Sequence, residues 1–575
     1  MATELISLGI LFMCAIVGGV IATKFKQPAV FGLLLVGALI GPSSLNLVQD
    51  TNMISMMSEF GAILILFIIG LEFNLSKIMK LGARSVLIGI LKFAIVLFLG
   101  YETTLILGFS VKIALFIGVI LSFSSTIVVV KVLEQKEMFS RKEVPLLIAI
   151  LIIEDIIAVL ALTFFSGIKD SSSSLLSTFE HIIFSIAILV FAYAVILKIL
   201  KYGINLILKN NSDESVLTFL SLGMGTSFSY FASYLGLAPS AGAFLAGSLI
   251  ASLPNAKDFG RAIHPYALIF TSIFFISMGT MIDFGAVNSN IPLIAALMLA
   301  VLVSRFIAIG SLTMLLANFR DEQPFFSSLA MISVGEFSLL VAKESEKFNL
   351  GIDLVSITAS IIFISAILMS ISISYSGNLH SNINSKVPTR MRLKMERISA
   401  YIRKFFDQLE IENIFTKKLH SESKKAFGLL LAALLAFFVV RRISTELEAG
   451  FGTLINYVFY VAGSIVIIYL LSLGLKRMMV IHETLSIVLT QVDSSRNLRK
   501  CARILNMMLL SLALVFSGLM FPFAMFAFDL SMWANLIPFA LILLGLHCLK
   551  SSIALIDCSS SYAPSYNASV SFAKL

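Results

Sequence analysis

The stretch LLIAILIIEDIIAVLALTFF, residues 146–165, is apolar except for Glu154 and Asp155, two adjacent acids near its middle. A helix needs about 20 predominantly apolar residues to cross a bilayer, and this stretch provides them. Ionisable side chains at membrane depth are costly, and where they occur they mark ion or proton pathways. The stretch therefore predicts a transmembrane helix, and the acidic pair is the first candidate for the centre of an ion pathway.

The composition excludes an ordinary soluble protein, because 58% of the residues are hydrophobic and 13% are charged. The apolar runs are continuous and do not alternate, which favours helices over a transmembrane β-barrel. The net charge of +9 does not indicate nucleic-acid binding, since the basic residues lie at segment ends, where they meet lipid headgroups. No enzyme activity or cofactor is predicted. No metal or disulfide spacing connects the four cysteines, Cys14, Cys501, Cys548 and Cys558.

The apolar runs predict an all-α polytopic membrane protein with thirteen helices before residue 377. The ninth run, PSAGAFLAGSLIAS, is short, and its small residues would let neighbouring helices approach closely. The predicted helices are 5–22, 29–48, 54–71, 83–108, 113–130, 143–166, 179–208, 215–235, 238–252, 260–282, 292–318, 323–343 and 352–376.

The distribution of Lys and Arg predicts the orientation in the membrane. These residues concentrate in the connections after odd-numbered helices and are sparse after even-numbered ones. Since basic residues accumulate in cytoplasmic loops, the N-terminus is predicted outside the cell. The first run lacks a basic region before it and a convincing cleavage site after it, which favours a retained helix over a signal peptide.

The chain changes character after residue 376. Residues 377–427 are polar and basic, and the segment PTRMRLKMERISAYIRKFFDQLE within them predicts an amphipathic helix on the cytoplasmic membrane surface. Apolar runs resume within 428–556 and predict about four additional transmembrane helices, which return the C-terminus to the cytoplasm. The Ser-rich residues 557–575 predict a flexible tail. The four runs are 428–440, 452–474, 502–528 and 532–549.

The acidic pair suggests a division of labour. Successive helical residues point about 100° apart, so Glu154 and Asp155 cannot face one spot. Burial favours the neutral carboxyl and a bound cation favours the carboxylate, so a proton and a monovalent cation compete for the same group. The alternative, a pair of acids that only holds helices together, is disfavoured by the cost of burying two charges.

Hydroxyl residues at Ser122, Ser124, Ser125 and Thr126 supply a set of hard oxygen ligands for Na⁺ or K⁺. In isolation, serines in membrane helices more often bond to the preceding turn. The nearby acids make the ligand interpretation the favoured one.

Three further charged residues are embedded in apolar runs. Arg305 needs a partner, and Glu154 is the best-matched acid; such a pair would stay charged and leave Asp155 as the single titrating group. The alternative is a helix break that leaves the arginine at the interface. Glu336 indicates either an unwound segment or a polar contact between helices. Lys92 has two open interpretations, pairing with an acid or extending its ammonium to the membrane surface.

Seven motifs resemble the monovalent cation/proton antiporter family, which includes Kef-type potassium efflux systems and bacterial Na⁺/H⁺ antiporters. The resemblance covers residues 1 to about 376. The motifs are QPAVFGLLLVGALIGPSSLNLV, EFGAILILFIIGLEFNL, SFSSTIVVVKVL, LIIEDIIAV, LAPSAGAFLAGSLIAS, IFFISMGTMIDF and VGEFSLLV.

This resemblance implies a thirteen-helix inverted-repeat fold, with a core domain, a dimerisation domain and elevator-type alternating access. It also implies two broken helices at Ser124 to Thr126 and Val334 to Phe337, and Asp155 as the carrier of the cation and the proton. Arg305 would be the base facing Glu154. The implied protein is a homodimer in the cell membrane that exchanges Na⁺ or K⁺ for H⁺.

The chain departs from the resembled family in its charged residues. Glu154 stands where members often have Asp, Asn or Gln, and Arg305 stands where many electrogenic members have lysine. A permanent acid–arginine pair favours one cation for one proton. No GxGxxG after a strand is present, so regulation by NAD is not predicted. Two alternatives remain, a gated cation channel and a membrane sensor without transport.

Overall fold

The structure is a computed structural model. Most of the residues that it describes are helical. The described residues are 2–25, 29–48, 51–72, 83–167, 188, 192–193, 195–198, 214–235, 237, 239–253, 256–317, 319–384, 414–451, 453–492, 498–528 and 532–557. The chain forms two compact units, one of Met1–Thr389 with Phe526–Phe528, and one of Arg390–Met525 with Asp529–Leu575.

The first unit contains seventeen α-helices among its described residues. They are α1 (Ala2–Lys24), α2 (Ala29–Ile40), α3 (Thr51–Glu72), α4 (Ala83–Ile106), α5 (Val111–Ser122), α6 (Thr126–Gln135), α7 (Val144–Gly167), α8 (Glu214–Tyr234), α9 (Pro239–Ala251), α10 (Ala256–Thr280), α11 (Phe284–Ser289), α12 (Ile291–Arg305), α13 (Ser311–Leu316), α14 (Gln323–Ala330), α15 (Glu336–Ser345), α16 (Leu354–Ser372) and α17 (Ser376–Asn384).

Among the described residues, four long helices lie wholly or mainly in the second unit. They are α18 (Ile414–Phe451), α19 (Thr453–Val492), α20 (Leu498–Phe528) and α21 (Leu536–Asp557). Helices α18 and α19 pack along each other, and Arg477 on α19 donates to Glu422 on α18 at 2.9 Å. Each of the four predicted C-terminal apolar runs falls largely within one of these helices. Whether all four cross a membrane stays a prediction.

The predicted linker and tail fall mainly on residues that the structure leaves undescribed. Residues 385–413 and 558–575 lie outside the described ranges, and so does the flexible-tail prediction. At its two ends the predicted linker is helical, in α17 and in the first turns of α18. The division of the chain at residues 376, 427 and 556 stays a prediction.

Six described helices are long and apolar enough to cross a membrane. They comprise Arg84–Ile106, Val144–Ser166, Ile291–Leu316, Leu354–Asn378, Val461–Val488 and Ala502–Phe526. The 146–165 stretch lies in one of these helices, which has the length and apolar character that the sequence predicts. The exact count of thirteen helices is not settled by the described residues, because the predicted helix 179–208 lies mostly outside them.

The short ninth run forms α9 and packs closely on α3, as its small residues predict. A Cβ on Gly247 would lie 2.0 Å from the Phe67 carbonyl oxygen, and one on Gly70 would lie 2.2 Å from that of Phe244. Only glycine permits this approach of the two backbones. The small-residue interface belongs to the buried cluster around Phe67, Phe228 and Phe259.

Two helices predicted as continuous from their apolar runs, 113–130 and 323–343, are interrupted. The first breaks at Phe123–Ser125 between α5 and α6, and the second breaks at Met331–Gly335 between α14 and α15. Thr126, Glu336 and Phe337, expected within the breaks, already belong to helices. Ser125 explains the earlier restart, since its hydroxyl accepts from the Val128 N–H and caps α6.

Helix α12 changes its geometry immediately after Arg305. Residues Phe306–Gly310 form a π-helical turn that leads into α13 and packs against α14. Such turns are rare and occur frequently at functional sites. The alternative interpretation of Arg305, a position at the interface, does not hold, because its side chain is completely buried.

Candidate functional site

The two helix breaks cross each other in antiparallel directions. The Ser125 N–H donates to the Ser333 carbonyl at 3.1 Å, and the Gly335 N–H donates to the Phe123 carbonyl at 3.1 Å. Ser124 and Val334 form an isolated antiparallel bridge between these bonds. The Val334 N–H donates to the Ser365 hydroxyl at 3.0 Å. Backbone groups freed by unwinding are thus satisfied by protein partners, as membrane depth requires.

The crossing requires glycine at position 335. A Cβ there would lie 2.6 Å from the Ser124 carbonyl oxygen and 2.9 Å from its carbonyl carbon. Both contacts are with backbone, so a larger residue cannot be accommodated by turning a side chain. Gly335 therefore determines how closely the two broken helices approach.

Gly335→Ala is expected to lower both thermal stability and exchange activity, because the added methyl overlaps the facing backbone. Overpacking of a buried contact costs about 1–3 kcal/mol. Thermal denaturation in detergent and a transport assay measure the two effects. Gly223→Ala on α8 is the matched control, since nothing lies within 4 Å of its added Cβ. Equal behaviour of the two variants would contradict the close-crossing requirement.

Arg305 binds the carboxyl end of the half-helix α5. Its guanidinium donates to the carbonyl oxygens of Leu121 at 2.9 Å, Ser122 at 3.2 Å and Phe123 at 3.2 Å. The last carbonyls of a helix have no partner within the helix and carry a partial negative charge. Arg305 therefore neutralises a helix end that the break leaves exposed to the site.

Lys92 on α4 forms the buried ion pair of the site. Its ammonium lies 2.7 Å from Glu154 Oε1, and both side chains have no exposed surface. The ammonium also donates to the Ser122 carbonyl at 2.6 Å and to the Ser124 hydroxyl at 2.9 Å. The ammonium therefore has one ion-pair partner and two hydrogen-bond acceptors, which compensate its buried charge.

Glu154 connects α7 to the first break. Its Oε2 accepts the Ser124 N–H at 2.8 Å, while its Oε1 faces Lys92. Asp155, the next residue, is 3% exposed and faces α6 instead, where the Thr126 hydroxyl lies 3.2 Å from Oδ2 and 3.4 Å from Oδ1. The two adjacent acids therefore contact different partners, as the helical geometry predicts.

Glu336, at the second helix break, contacts Ser125 at the first. The Ser125 hydroxyl donates to Glu336 Oε2 at 3.0 Å, and both side chains are buried. Glu336 begins α15, where the positive end of the helix dipole stabilises a carboxylate. Both interpretations of Glu336 apply, because this residue follows an unwound segment and also makes a polar contact between helices.

A family model described as sodium/hydrogen exchanger, transmembrane, matches residues 9–376 of the chain. The chain belongs to this exchanger family. The resemblance to cation/proton antiporters is thereby confirmed, and the family is one of transporters. Its matched region contains every residue of the crossing described above.

Several individual proteins similar to this chain are named as antiporters. The chain is 28% identical over 345 residues to a probable Na⁺/H⁺ antiporter of Bacillus cereus, covering 59% of this chain and 90% of the relative. It is 27% identical to a Na⁺/H⁺ antiporter of Enterococcus hirae, covering 59% and 89%. A K⁺ efflux antiporter of Arabidopsis thaliana is 25% identical, with 59% and 60% covered. A solved sodium proton antiporter from Methanocaldococcus jannaschii aligns with TM-score 0.47 and 16% identity, covering 66% and 98%.

In this member of the exchanger family, the loop between α6 and α7 is anchored to the start of α14. Arg141 donates to Glu322 at 2.6 Å and to Glu143 at 3.2 Å, and its guanidinium stacks 3.9 Å from the Phe326 ring centre. Burial lowers the pKa of Arg141, but its hydrogen bonds with Glu143 and Glu322 outweigh burial and raise the pKa above its usual value. The anchor joins the helices that carry Thr126 and Asp155 to the second broken helix.

The structure gathers all of the predicted site residues at the crossing: Ser124, Ser125, Thr126, Glu154, Asp155, Arg305 and Glu336. The predicted Glu154–Arg305 pair is wrong, because Glu154 pairs with Lys92 and Arg305 binds backbone carbonyls. Of the two open interpretations of Lys92, pairing with an acid is the one that the structure shows. The sequence signal for Lys92 was a single base in the middle of an apolar run.

Proposed function

We propose that the protein is a secondary antiporter that exchanges a monovalent cation, Na⁺ or K⁺, for H⁺ across the cell membrane. The proposed ion and proton site is Asp155, surrounded by Thr126, Ser125, Ser124 and Glu154. Membership of the sodium/hydrogen exchanger family and the names of the relatives support cation/proton exchange. The observation that carries the site assignment is the nearly buried Asp155 carboxylate against the Thr126 hydroxyl.

The chemistry of exchange follows from competition at one carboxylate. A protonated Asp155 has one oxygen fewer to offer a cation, and a bound cation excludes the proton by charge. Carboxylate and hydroxyl oxygens are the hard ligands that alkali cations take in place of water. Binding of either ion therefore prepares the site for one direction of the exchange cycle.

We propose one cation for one proton, an electroneutral cycle. Glu154 is paired with Lys92, whose ammonium also donates to the Ser122 carbonyl and the Ser124 hydroxyl, and in this proposal the pair takes no part in the exchange at Asp155. Lys92, in place of Arg305, is the partner of Glu154 in this proposal. A single titrating carboxylate carries either one proton or one monovalent cation, which leaves the net charge of the loaded site unchanged.

Alternating access by an elevator motion, a homodimer and the membrane orientation are parts of the same proposal. The elevator and the dimer are supported by the resemblance to the antiporter family. The distribution of Lys and Arg supports an external N-terminus and a cytoplasmic C-terminus. Surrounding lipid would meet the many apolar side chains that remain exposed on the helices.

Proteoliposomes that contain a pH-sensitive dye test the function. Adding Na⁺, K⁺ or Li⁺ outside should move protons outward, and an imposed membrane potential should leave the rate unchanged. Cation flux without proton movement would favour the alternative, a gated cation channel, while a strong voltage dependence would contradict electroneutrality. The panel of cations also determines whether Na⁺ or K⁺ is preferred.

Thr126→Val is expected to weaken cation binding, because it removes the hydroxyl that faces Asp155. Loss of one such polar contact costs about 0.5–1.5 kcal/mol, so the KM for the cation should rise about twofold to tenfold. Thr126→Ser keeps the hydroxyl and should restore most of the affinity. Thr163→Val on α7 is the control, since its hydroxyl bonds only to the preceding turn, at the Val159 carbonyl. An unchanged KM in Thr126→Val would remove this residue from the site.

A further inference from the structure

We propose that the Lys92 ammonium occupies a second monovalent-cation site, formed by Glu154, Ser122 and Ser124. The inference rests on the proposed function, in which the exchangeable cation binds at Asp155. Two cation sites of different kinds then lie at the first helix break. One is open to Na⁺ or K⁺ from solution, and the other is filled by a cation attached to the chain.

The oxygens around Lys92 are of the kinds that bind an alkali cation. The ammonium nitrogen lies 2.7 Å from a carboxylate oxygen of Glu154, 2.6 Å from the Ser122 carbonyl oxygen and 2.9 Å from the Ser124 hydroxyl oxygen. Carboxylate, carbonyl and hydroxyl oxygens are the ligands that replace the hydration shell of such ions. An ammonium has donors and no acceptor, so it contacts oxygens alone, as a metal cation does.

Other contacts hold these oxygens in place without Lys92. Glu154 Oε2 accepts the Ser124 N–H at 2.8 Å, which fixes the carboxylate against the break. The Ser122 carbonyl ends α5 and also accepts from Arg305 at 3.2 Å. The partial negative charge of this helix end favours a cation at the position of the ammonium. Removing the Lys92 side chain therefore leaves a set of oxygens around a completely buried space.

The second site shares Ser124 and Glu154 with the surroundings of Asp155, but the carboxylates of Glu154 and Asp155 face different elements. Asp155 contacts Thr126 on α6, whereas Glu154 contacts Lys92 of α4 and the backbone of the break. A cation attached to α4 cannot leave with the transported ion. Lys92 thus limits the exchangeable cations to one, and its removal should add a second.

Equilibrium binding of radioactive Na⁺ and Rb⁺ to the purified full-length chain, in a choline buffer, tests the proposal. The wild type should bind one ion per chain, and Asp155→Asn should bind none. Lys92→Ala should bind two, and the double variant Lys92→Ala with Asp155→Asn should keep one. Adding Glu154→Gln to that double variant should remove the last ion. Lys92→Arg retains a fixed cation and should bind one.

The decisive comparison separates this inference from the proposed function. If the folded double variant of Lys92→Ala and Asp155→Asn binds no ion, the second site is refuted, while the wild type and Asp155→Asn still test the first. If the wild type and Asp155→Asn bind equally, the function assigned to Asp155 fails, and the second site is still judged by the effect of Glu154→Gln.

Thermal denaturation provides a readout where the Lys92→Ala variants fold poorly. Na⁺ or K⁺ should raise the denaturation midpoint of the Lys92→Ala, Asp155→Asn variant, and choline at equal ionic strength should not. The variant that also carries Glu154→Gln should lose this response. An equal response of the two variants to Na⁺ and K⁺ would overturn the proposal.

Discussion

Asp155→Asn is expected to reduce cation-driven proton movement to the rate of protein-free liposomes. The amide of asparagine is close in shape to the carboxyl group, so it can still accept from the Thr126 hydroxyl, which lies 3.2 Å from Asp155 Oδ2. It cannot bind a proton in the working range, and it carries no charge to attract a cation. Proton binding and cation binding therefore both fail because the carboxylate is missing, while the fold is retained.

The control and the pH profile distinguish loss of the carrier from general damage. Asp283→Asn, outside the crossing, should exchange normally, because asparagine also caps helices and Asp283 caps α11. In the wild type, the apparent KM for the cation should rise as the pH falls, by up to about tenfold per pH unit where Asp155 is mostly protonated. Exchange by Asp155→Asn, or a KM that is independent of pH, would contradict competition at this carboxylate.

Lys92→Met is expected to destabilise the protein by about 3–5 kcal/mol in a buffer without Na⁺ or K⁺, because it leaves Glu154 buried and unpaired. Both side chains of the pair have no exposed surface, so water cannot replace the ammonium. Methionine keeps most of the length of the lysine side chain, which limits the loss of packing. The destabilisation should therefore reflect the uncompensated carboxylate.

The double variant Lys92→Met with Glu154→Gln should recover much of this loss. Glutamine is neutral, and its carbonyl can still accept the Ser124 N–H that Glu154 accepts at 2.8 Å. Lys131→Met is the control for removal of a lysine, since Lys131 is 51% exposed and pairs only with the exposed Glu134. It should change stability by about 0.5 kcal/mol or less. Thermal denaturation in detergent measures all four proteins, and equal stability of Lys92→Met and wild type would disprove the compensating role of Lys92.

The apolar runs predicted most of the helices because the membrane imposes one requirement on every spanning segment. A stretch such as 146–165 must be long, apolar and hydrogen-bonded within itself, and all three properties can be read locally. The same reasoning missed the interruptions at Phe123–Ser125 and Met331–Gly335 when applied to the runs alone. Each break is stabilised by the other through backbone bonds, so the hydrophobicity of its own segment does not show where the helix is interrupted.

By itself, the sequence determined the class of the protein and pointed to the residues that gather at the crossing, because charges and hydroxyls are conspicuous in apolar helices. It also determined that Glu154 and Asp155 face different partners, since helical geometry separates neighbours. Only the tertiary structure decided which base compensates Glu154. Lys92 and Arg305 are both embedded bases, and their roles depend on the three-dimensional path of α4 and α12 past the end of α5. That path depends on packing between distant segments, which no local pattern in the chain encodes.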